Sequence, residues 1–129
     1  MEWKFPINPV AASRPRITSG KNGRQHAYYV GPYKRFRLEI IDILESIFDG
    51  DYPKYNSLLA VSLELYATKP KKTKLSVPKW DIDNGIKAVF DALNKKLWED
   101  DTQIVSVYAT KQWAEDGEEG YFIVGVNPL

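Results

Sequence analysis

The nine residues Leu59–Ala67 constrain the fold more than any other part of the chain, because apolar residues recur there at every second position. A period of two is that of a β-strand, in which successive side chains point to opposite faces of a sheet. The pattern therefore predicts a strand with one buried face, and such a strand needs other elements to cover that face.

Two segments with helical spacing lie on either side of this strand. The first has Pro32, which suits an opening turn, and Gly50, which can end a helix in the left-handed conformation. Its apolar positions are Phe36, Ile40, Ile43, Leu44 and Ile47. The second begins around residues 81–83, and its apolar positions are Ile82, Ile86, Val89, Leu93 and Leu97. Intervals of three and four residues predict one amphipathic helix in each segment.

The region before the first helix predicts a short strand and a long loop. Residues 3–7 favour a strand that Pro6 and Pro9 bring to an end. Residues 8–31 carry proline, serine, glycine and basic residues without periodicity, which predicts a loop of a length that small domains usually keep for function.

The end of the chain predicts two further strands. Residues 104–113 and 121–126 are rich in β-forming types and flank the acidic turn 115–120, so we expect a hairpin. The element order is then strand, helix, strand, helix, strand, strand. This order predicts one small α/β or α+β domain over residues 1–129, in which a mixed sheet packs with two main helices.

The absence of cysteine excludes disulfide bonds, cysteine-ligated zinc and thiol catalysis. No apolar run approaches the roughly 20 residues that a membrane-spanning helix needs. The first residues also lack the basic and apolar parts of a signal peptide. We therefore expect a soluble, cytoplasmic protein with no membrane partner.

Charged residues are segregated along the chain although the net charge is only +1. Residues 3–38 and 65–80 contain no acidic residue but many basic ones. Such segregation can build a basic contact face for a nucleic-acid backbone. The candidate DNA contacts are Arg14, Arg16, Lys34, Arg35, Lys71, Lys72 and Lys74. The alternative is that both stretches are solvated loops in which basic residues cluster by chance.

Acidic residues gather at the start of the second predicted helix and just after its end. Asp81 and Asp83 stand at a helix N-terminus, whose free amides and dipole stabilise negative charge. Asp100 and Asp101 follow the helix. Carboxylate oxygens are the hard ligands that Mg²⁺ and Mn²⁺ prefer, so these four residues are candidate metal ligands.

Simpler interpretations exist for each part of this pattern. Asp81 and Asp83 could be a helix cap with an added surface charge, and Asp83 with Lys87 could form an ordinary i,i+4 ion pair. Asp100 and Asp101 could merely begin a turn. Each pair taken alone is therefore weak evidence for a metal site.

The whole pattern is more specific than its parts. Residues 81–94 read DIDNGIKAVFDALN, and residues 98–104 read WEDDTQI. This resembles the signature of the RusA family of Holliday junction resolvases, which runs D-x-D-N-x-x-K-A-x-x-D-A-L, then an aromatic residue and D-D-x-Q-[IV]. Upstream, the basic loop with residues 13–16, SRPR, is also similar to the family. Trp80 and Gly85 depart from it, because a basic or small residue is common at the first position and a larger apolar residue at the second.

The resemblance implies a homodimer that binds branched DNA, in particular four-way Holliday junctions, and resolves it by paired nicks with Mg²⁺ or Mn²⁺ and no organic cofactor. On matching positions it implies that Asp81, Asp83 and Asp101 hold the metal and that Lys87 is an essential basic residue, so these four are the candidate catalytic residues. Asp100 is assigned to the metal site as well. The expected location is the cytoplasm of a bacterium, whether the gene is bacterial or phage-borne.

Two other functions stay open at this point. A non-catalytic protein that binds DNA structures could keep the fold and use the carboxylates structurally, and a metal-dependent RNA nuclease or other phosphohydrolase could use the same ligands. The single histidine, His26, lies in the basic loop, so we expect a DNA contact or a surface residue and not a general base. Large apolar groups that could serve an interface or the core are Trp3, Trp98, Trp113 and Tyr121.

Overall fold

The computed structural model describes residues 1–14, 16–20, 23–28 and 31–129, and the side chains of Arg16, His26 and Ala27 also lie outside the described part. The strands are β1 (Glu2–Phe5), β2 (Arg16–Ser19), β3 (Gln25–Tyr28), β4 (Leu59–Ala67), β5 (Ile104–Trp113) and β6 (Tyr121–Pro128). The helices are α1 (Gly31–Phe48) and α2 (Ile82–Leu93), and a 3₁₀ turn, Asp101–Gln103, precedes β5.

Four of the strands form one mixed sheet in the order β1, β6, β4, β5. β4 runs antiparallel to β6 on one edge and parallel to β5 on the other. Every second residue from Leu59 to Ala67 is buried. The predicted half-buried strand is therefore confirmed, and it occupies an interior position in the sheet.

Both helices bury their apolar sides in one core with the alternate residues of β4. α1 contributes Phe36 and Ile40 to this core, and α2 contributes Val89 and Leu93. Burial of an apolar side chain of this kind contributes roughly 1.5–3 kcal/mol. The predicted α+β architecture of one small domain with a mixed sheet and two main helices is confirmed. Among the described residues, no helix combines the length and the apolar character that crossing a membrane requires.

The predicted hairpin of β5 and β6 is wrong, because β4 lies between these two strands. Residues 114–120 instead cross the end of β4, where the backbone N–H of Gly120 donates to Oγ1 of Thr68 at 2.8 Å. A Cβ at Gly120 would lie 2.8 Å from the carbonyl oxygen of Tyr66, so glycine suits the crossing. Turn composition marks where a strand ends but does not select the neighbour, and a seven-residue link can span the roughly 10 Å across one intervening strand.

The predicted loop over residues 8–31 contains two short strands that the sequence did not indicate. β2 and β3 form an antiparallel hairpin in which Ser19 lies opposite Gln25. A backbone hydrogen bond of 2.6 Å from Gly20 to the carbonyl of Arg24 closes its turn. The described side chains of the two strands are exposed. The sequence did not indicate the hairpin because strands without a buried face need no apolar alternation.

The two helices match their predicted positions, with one difference at the end of α2. α1 stops before Gly50, which has the expected left-handed conformation with φ 82°. α2 ends at Leu93, whereas the apolar stripe continues to Leu97. Leu97 is nevertheless fully buried, because the chain turns after the helix and the N–H of Leu97 bonds to the carbonyl of Leu93 at 3.1 Å.

Candidate active site

Asp81 and Asp83 stand at the start of α2 with exposed side chains. Asp81 has an extended backbone (φ −67°, ψ 139°), and its carbonyl accepts the N–H groups of Asn84 at 3.1 Å and Gly85 at 3.3 Å. Its carboxylate makes no capping hydrogen bond. The capping interpretation of Asp81 therefore lacks support, and the carboxylate is available to other partners.

Asp101 is a half-buried residue at the start of the 3₁₀ turn, and Trp98 orients it. The indole Nε1 of Trp98 donates to Oδ1 of Asp101 at 2.6 Å. Trp98 is itself fully buried and packs edge-on against Phe90 of α2, with ring centroids 5.5 Å apart. This hydrogen bond fixes the direction of the carboxylate and leaves Oδ2 to other partners.

The surroundings of Asp101 raise the pKa of its carboxyl above the ordinary value. Burial is the largest cause, and the negative charges of Asp91 and Asp100 add to it. The hydrogen bond from Trp98 and the positive charge of Lys87 act in the opposite direction. The ionised form of Asp101 is therefore disfavoured in the free protein, and a bound cation would relieve that cost.

Asp100 and Gln103 cap the 3₁₀ turn reciprocally. Oδ2 of Asp100 accepts hydrogen bonds from the backbone N–H of Thr102, at 3.2 Å, and from its hydroxyl. The N–H of Asp100 donates to Oε1 of Gln103 at 2.7 Å. The hydroxyl of Thr102 is the main cause that lowers the pKa of Asp100, and Lys95 contributes. The carboxylate thus takes part in local structure, and its role as a metal ligand stays a prediction.

Gln103 also ties this turn to the segment before β4. Its Nε2 donates to the carbonyls of Tyr55 at 2.7 Å and Ser57 at 2.8 Å. The signature glutamine thus acts as acceptor and donor at once, and only an amide side chain of this length does both here.

Gln103→Ala is expected to lower the free energy of unfolding by about 2 kcal/mol, because it removes the side-chain partner of the N–H of Asp100 and of the carbonyl of Ser57. The carbonyl of Tyr55 keeps the N–H of Glu99 at 3.2 Å. The matched control is Gln112→Ala on β5, which should change stability by about 0.5 kcal/mol or less. Urea unfolding of both variants is the measurement. Equal stability of the two would contradict the bridging role of Gln103.

Lys87 projects from α2 and pairs with Asp91, with 3.2 Å between Nζ and Oδ2. The same Asp91 oxygen accepts the hydroxyl of Tyr33 at 3.2 Å, and that hydroxyl accepts a hydrogen bond from Nη1 of Arg37 at 3.2 Å. Asp91 therefore joins α2 to α1 and holds one side of the Lys87 ammonium. Because Lys87 also acts electrostatically on Asp101, these groups form one charged neighbourhood.

The proposed metal ligands do not form a ready-made cage. Within the part of the chain that the structure describes, no group of three or more His, Asp or Glu side chains is arranged to hold an ion. Mg²⁺ commonly binds through one or two carboxylates and fills its shell with water and substrate phosphate, so a preassembled cage is not required. Asp81, Asp83 and Oδ2 of Asp101 supply hard oxygen donors, and this chemistry fits Mg²⁺ or Mn²⁺.

The predicted basic contacts lie before α1, on α1 and in the segment between β4 and α2. A hydrogen bond of 2.9 Å from the N–H of Ala12 to the carbonyl of Asn84 fastens the loop that carries Arg14 to the start of α2. Arg14, Lys34 and Arg35 are exposed. Lys71, Lys72 and Lys74, between β4 and α2, are also exposed. Their contact with DNA stays a prediction.

The structure does not describe the side chains of two of the predicted residues, and it changes the interpretation of a third. The side chains of Arg16 and His26 lie outside the described residues. Trp98 is fully buried, so it serves the core and Asp101 and is not interface material. Sequence reasoning missed the part that Tyr33 takes in holding Asp91. The spacing of four residues between Tyr33 and Arg37 indicates only the hydrogen bond between those two side chains, and no local pattern indicates the contact of Tyr33 with Asp91, which is 58 residues away.

The sequence matches known proteins over most of its length. The family described as Endodeoxyribonuclease RusA matches residues 6–119. YqaN of Bacillus subtilis (strain 168), an uncharacterized protein, is 28% identical over 134 residues, which cover 88% of this chain and 89% of YqaN. The matched range of the family includes the whole of α2, the 3₁₀ turn and their carboxylates. The chain therefore belongs to the RusA endodeoxyribonuclease family.

Proposed function

We propose that this chain is a divalent-metal-dependent endodeoxyribonuclease that binds four-way Holliday junctions and resolves them by paired nicks. The observation that carries the proposal is the carboxylate of Asp81, which stands at a helix start yet makes no capping hydrogen bond. In a chain of the RusA family, such a carboxylate beside Asp83 is suited to a cation. The proposed ligands are Asp81, Asp83 and Asp101, and Lys87 completes the catalytic set.

These side chains would divide the work of phosphodiester hydrolysis. A bound divalent cation would lower the pKa of an attacking water and neutralise charge on the phosphate. Oδ1 of Asp101 accepts the indole N–H of Trp98 at 2.6 Å, and Oδ2 would be the oxygen that binds the cation. Lys87, held on one side by Asp91, would bring a positive charge to the non-bridging phosphate oxygens as negative charge develops there.

The function is tested with a four-way junction and a linear duplex of the same sequence, each incubated with Mg²⁺, Mn²⁺ or Ca²⁺. We expect paired nicks in the junction with Mg²⁺ or Mn²⁺ and an intact duplex. Junction binding without cleavage in any metal would indicate the alternative, a non-catalytic protein that binds DNA structures. Preferential cleavage of RNA would indicate an RNA nuclease.

Removal of Arg14 and Arg16 together is expected to weaken junction binding equally across DNA sequences. If each contacts one phosphate, the slope of log K against log salt should become shallower by about 1.8, since each neutralised phosphate contributes about 0.9. Titrations at several salt concentrations measure this slope. Lys54→Gln, outside the acid-free stretches, is the control. An unchanged slope in the Arg14→Ala, Arg16→Ala protein would assign both residues to a solvated loop.

We also propose that two copies form a homodimer. A Holliday junction is two-fold symmetric, and two cuts need two active sites related by that symmetry. β5 is an edge strand of the sheet, and Val105, Val107 and Tyr108 are 57%, 44% and 70% exposed on it. Residues 104–110 contain no charge and no proline, the features that usually protect an edge from pairing. We therefore assign the interface with the second copy to β5.

Light scattering of the purified protein at micromolar concentration is expected to give twice the chain mass of 14.8 kDa. Val107→Lys should shift the mass towards that of one chain, because a buried lysine without a partner opposes association. Leu58→Lys, at an apolar residue that is also exposed, should leave the mass unchanged. A wild-type protein that stays a single chain on a junction would contradict the dimer and the paired nicks.

A further inference from the structure

Trp80 and Gly85, which differ from the residues common at these positions in the family, face each other in space. A Cβ built on Gly85 would lie 2.6 Å from Cζ3 and 3.2 Å from Cη2 of Trp80, and 3.0 Å from Cδ1 of Leu65. Gly85 is buried, and Trp80 packs against the core cluster as a partly buried residue. The indole ring therefore occupies the space beside α2 that a side chain at position 85 would need.

Lys111 of β5 holds the other side of Trp80. Its Nζ donates to the carbonyl of Trp80 at 2.6 Å and lies 5.6 Å from the centroid of the indole ring. Leu75 lies five residues before Trp80, and its carbonyl accepts a hydrogen bond from Nε1 of Trp113 at 2.9 Å. Two side chains of one strand thus fasten both ends of residues 75–80, the segment that leads directly into Asp81.

We propose that Trp80, Gly85 and Lys111 form a positioning unit that sets the direction of the Asp81 and Asp83 carboxylates towards a divalent cation. The inference rests on the proposed function, since it concerns the same metal site. Asp81 makes no capping bond that would orient it, so its position depends on the peptide unit before it. Lys111 fixes that unit through the Trp80 carbonyl, and the indole ring braces the first turn of α2.

The first test is a double-mutant cycle on stability, with Gly85→Ala made in the wild-type and in the Trp80→Ala background. With Trp80 present, the added methyl group collides with the indole ring, so Gly85→Ala should lower the midpoint of urea unfolding. Without the ring, the remaining close contact is Cδ1 of Leu65 at 3.0 Å, the end of a flexible side chain that can shift into the space the ring leaves. Alanine is then the better helix former, so Gly85→Ala should raise the midpoint. A change of the same sign in both backgrounds would overturn the packing unit.

The second test measures Mn²⁺ affinity by isothermal titration calorimetry of the dialysed, full-length protein. Lys111→Met keeps the aliphatic stem but removes the hydrogen bond, and we expect about 10-fold weaker binding, the size of effect found for residues that orient metal ligands. Loss of a positive charge alone would strengthen cation binding, so weaker binding isolates the positioning role. Lys69→Met, whose exposed ammonium pairs with Asp116, is the charge-matched control and should not weaken binding.

The outcomes separate this inference from the proposed function. No Mn²⁺ binding by the wild-type protein would contradict the metal site and with it both proposals. Wild-type binding that Lys111→Met leaves unchanged or strengthens would contradict only the positioning role. Weaker binding in Lys111→Met, together with the reversal of sign in the stability cycle, would support it.

Discussion

Asp81→Asn is expected to lower junction cleavage by about 100-fold or more while the protein stays folded. Loss of residues that only orient a metal ligand costs about 10–100-fold, so loss of a ligand should reach at least the upper end of that range. Folding should survive because the side chain is exposed and makes no capping bond, and asparagine is as good an N-cap as aspartate. Cleavage rates at saturating enzyme and circular dichroism are the measurements.

The binding of DNA by Asp81→Asn separates this effect from a loss of affinity. Junction binding should persist or tighten, because one fewer carboxylate repels the phosphates. Asp116→Asn is the matched control, since Asp116 is exposed and forms a salt bridge with Lys69. That variant should cleave like wild type. Near-normal nicking by purified Asp81→Asn would remove Asp81 from the metal site.

Asp101→Asn is expected to change activity and stability in opposite directions. Cleavage should again fall by about 100-fold or more, because the variant loses a proposed ligand. The metal-free protein should become more stable at neutral pH, because burial and the charges of Asp91 and Asp100 disfavour the ionised carboxylate. Asparagine can still accept the hydrogen bond from Trp98, so the local contact is kept.

The sign of this stability change should depend on pH. Because folding raises the pKa of Asp101 above its ordinary value of 3.8, the unfavourable contribution is present above the raised pKa. It is lost as the pH falls through the raised pKa to below 3.8, where the group is protonated in both states. Urea unfolding in the presence of a chelator should therefore show the gain of Asp101→Asn at neutral pH and its disappearance in acid. A variant that is less stable than wild type at neutral pH would contradict this account of Asp101.

Local patterns in the sequence were enough to predict the main elements and the proposed site residues. The alternation in β4 and the helical spacing in α1 and α2 depend on neighbours a few residues away, and the structure confirms all three elements. The signature of residues 81–104 named the carboxylates and Lys87 in advance, because their chemistry and spacing lie within one continuous stretch. Their catalytic roles stay predictions until the variants are measured.

Tertiary structure alone decided which elements and side chains meet. Which strand pairs with β5 depends on the pairing energy of the whole sheet. A local sequence pattern therefore could not show that β4 lies between β5 and β6. The same holds for Trp98, whose large apolar ring suited an interface but whose indole N–H is taken by Asp101. Trp80 and Gly85 stand out separately in the sequence, and only the packing of α2 against β4 and β5 shows that one fills the space beside the other. Contacts between residues distant in sequence are set by shape and burial, which a pattern of residue types does not encode.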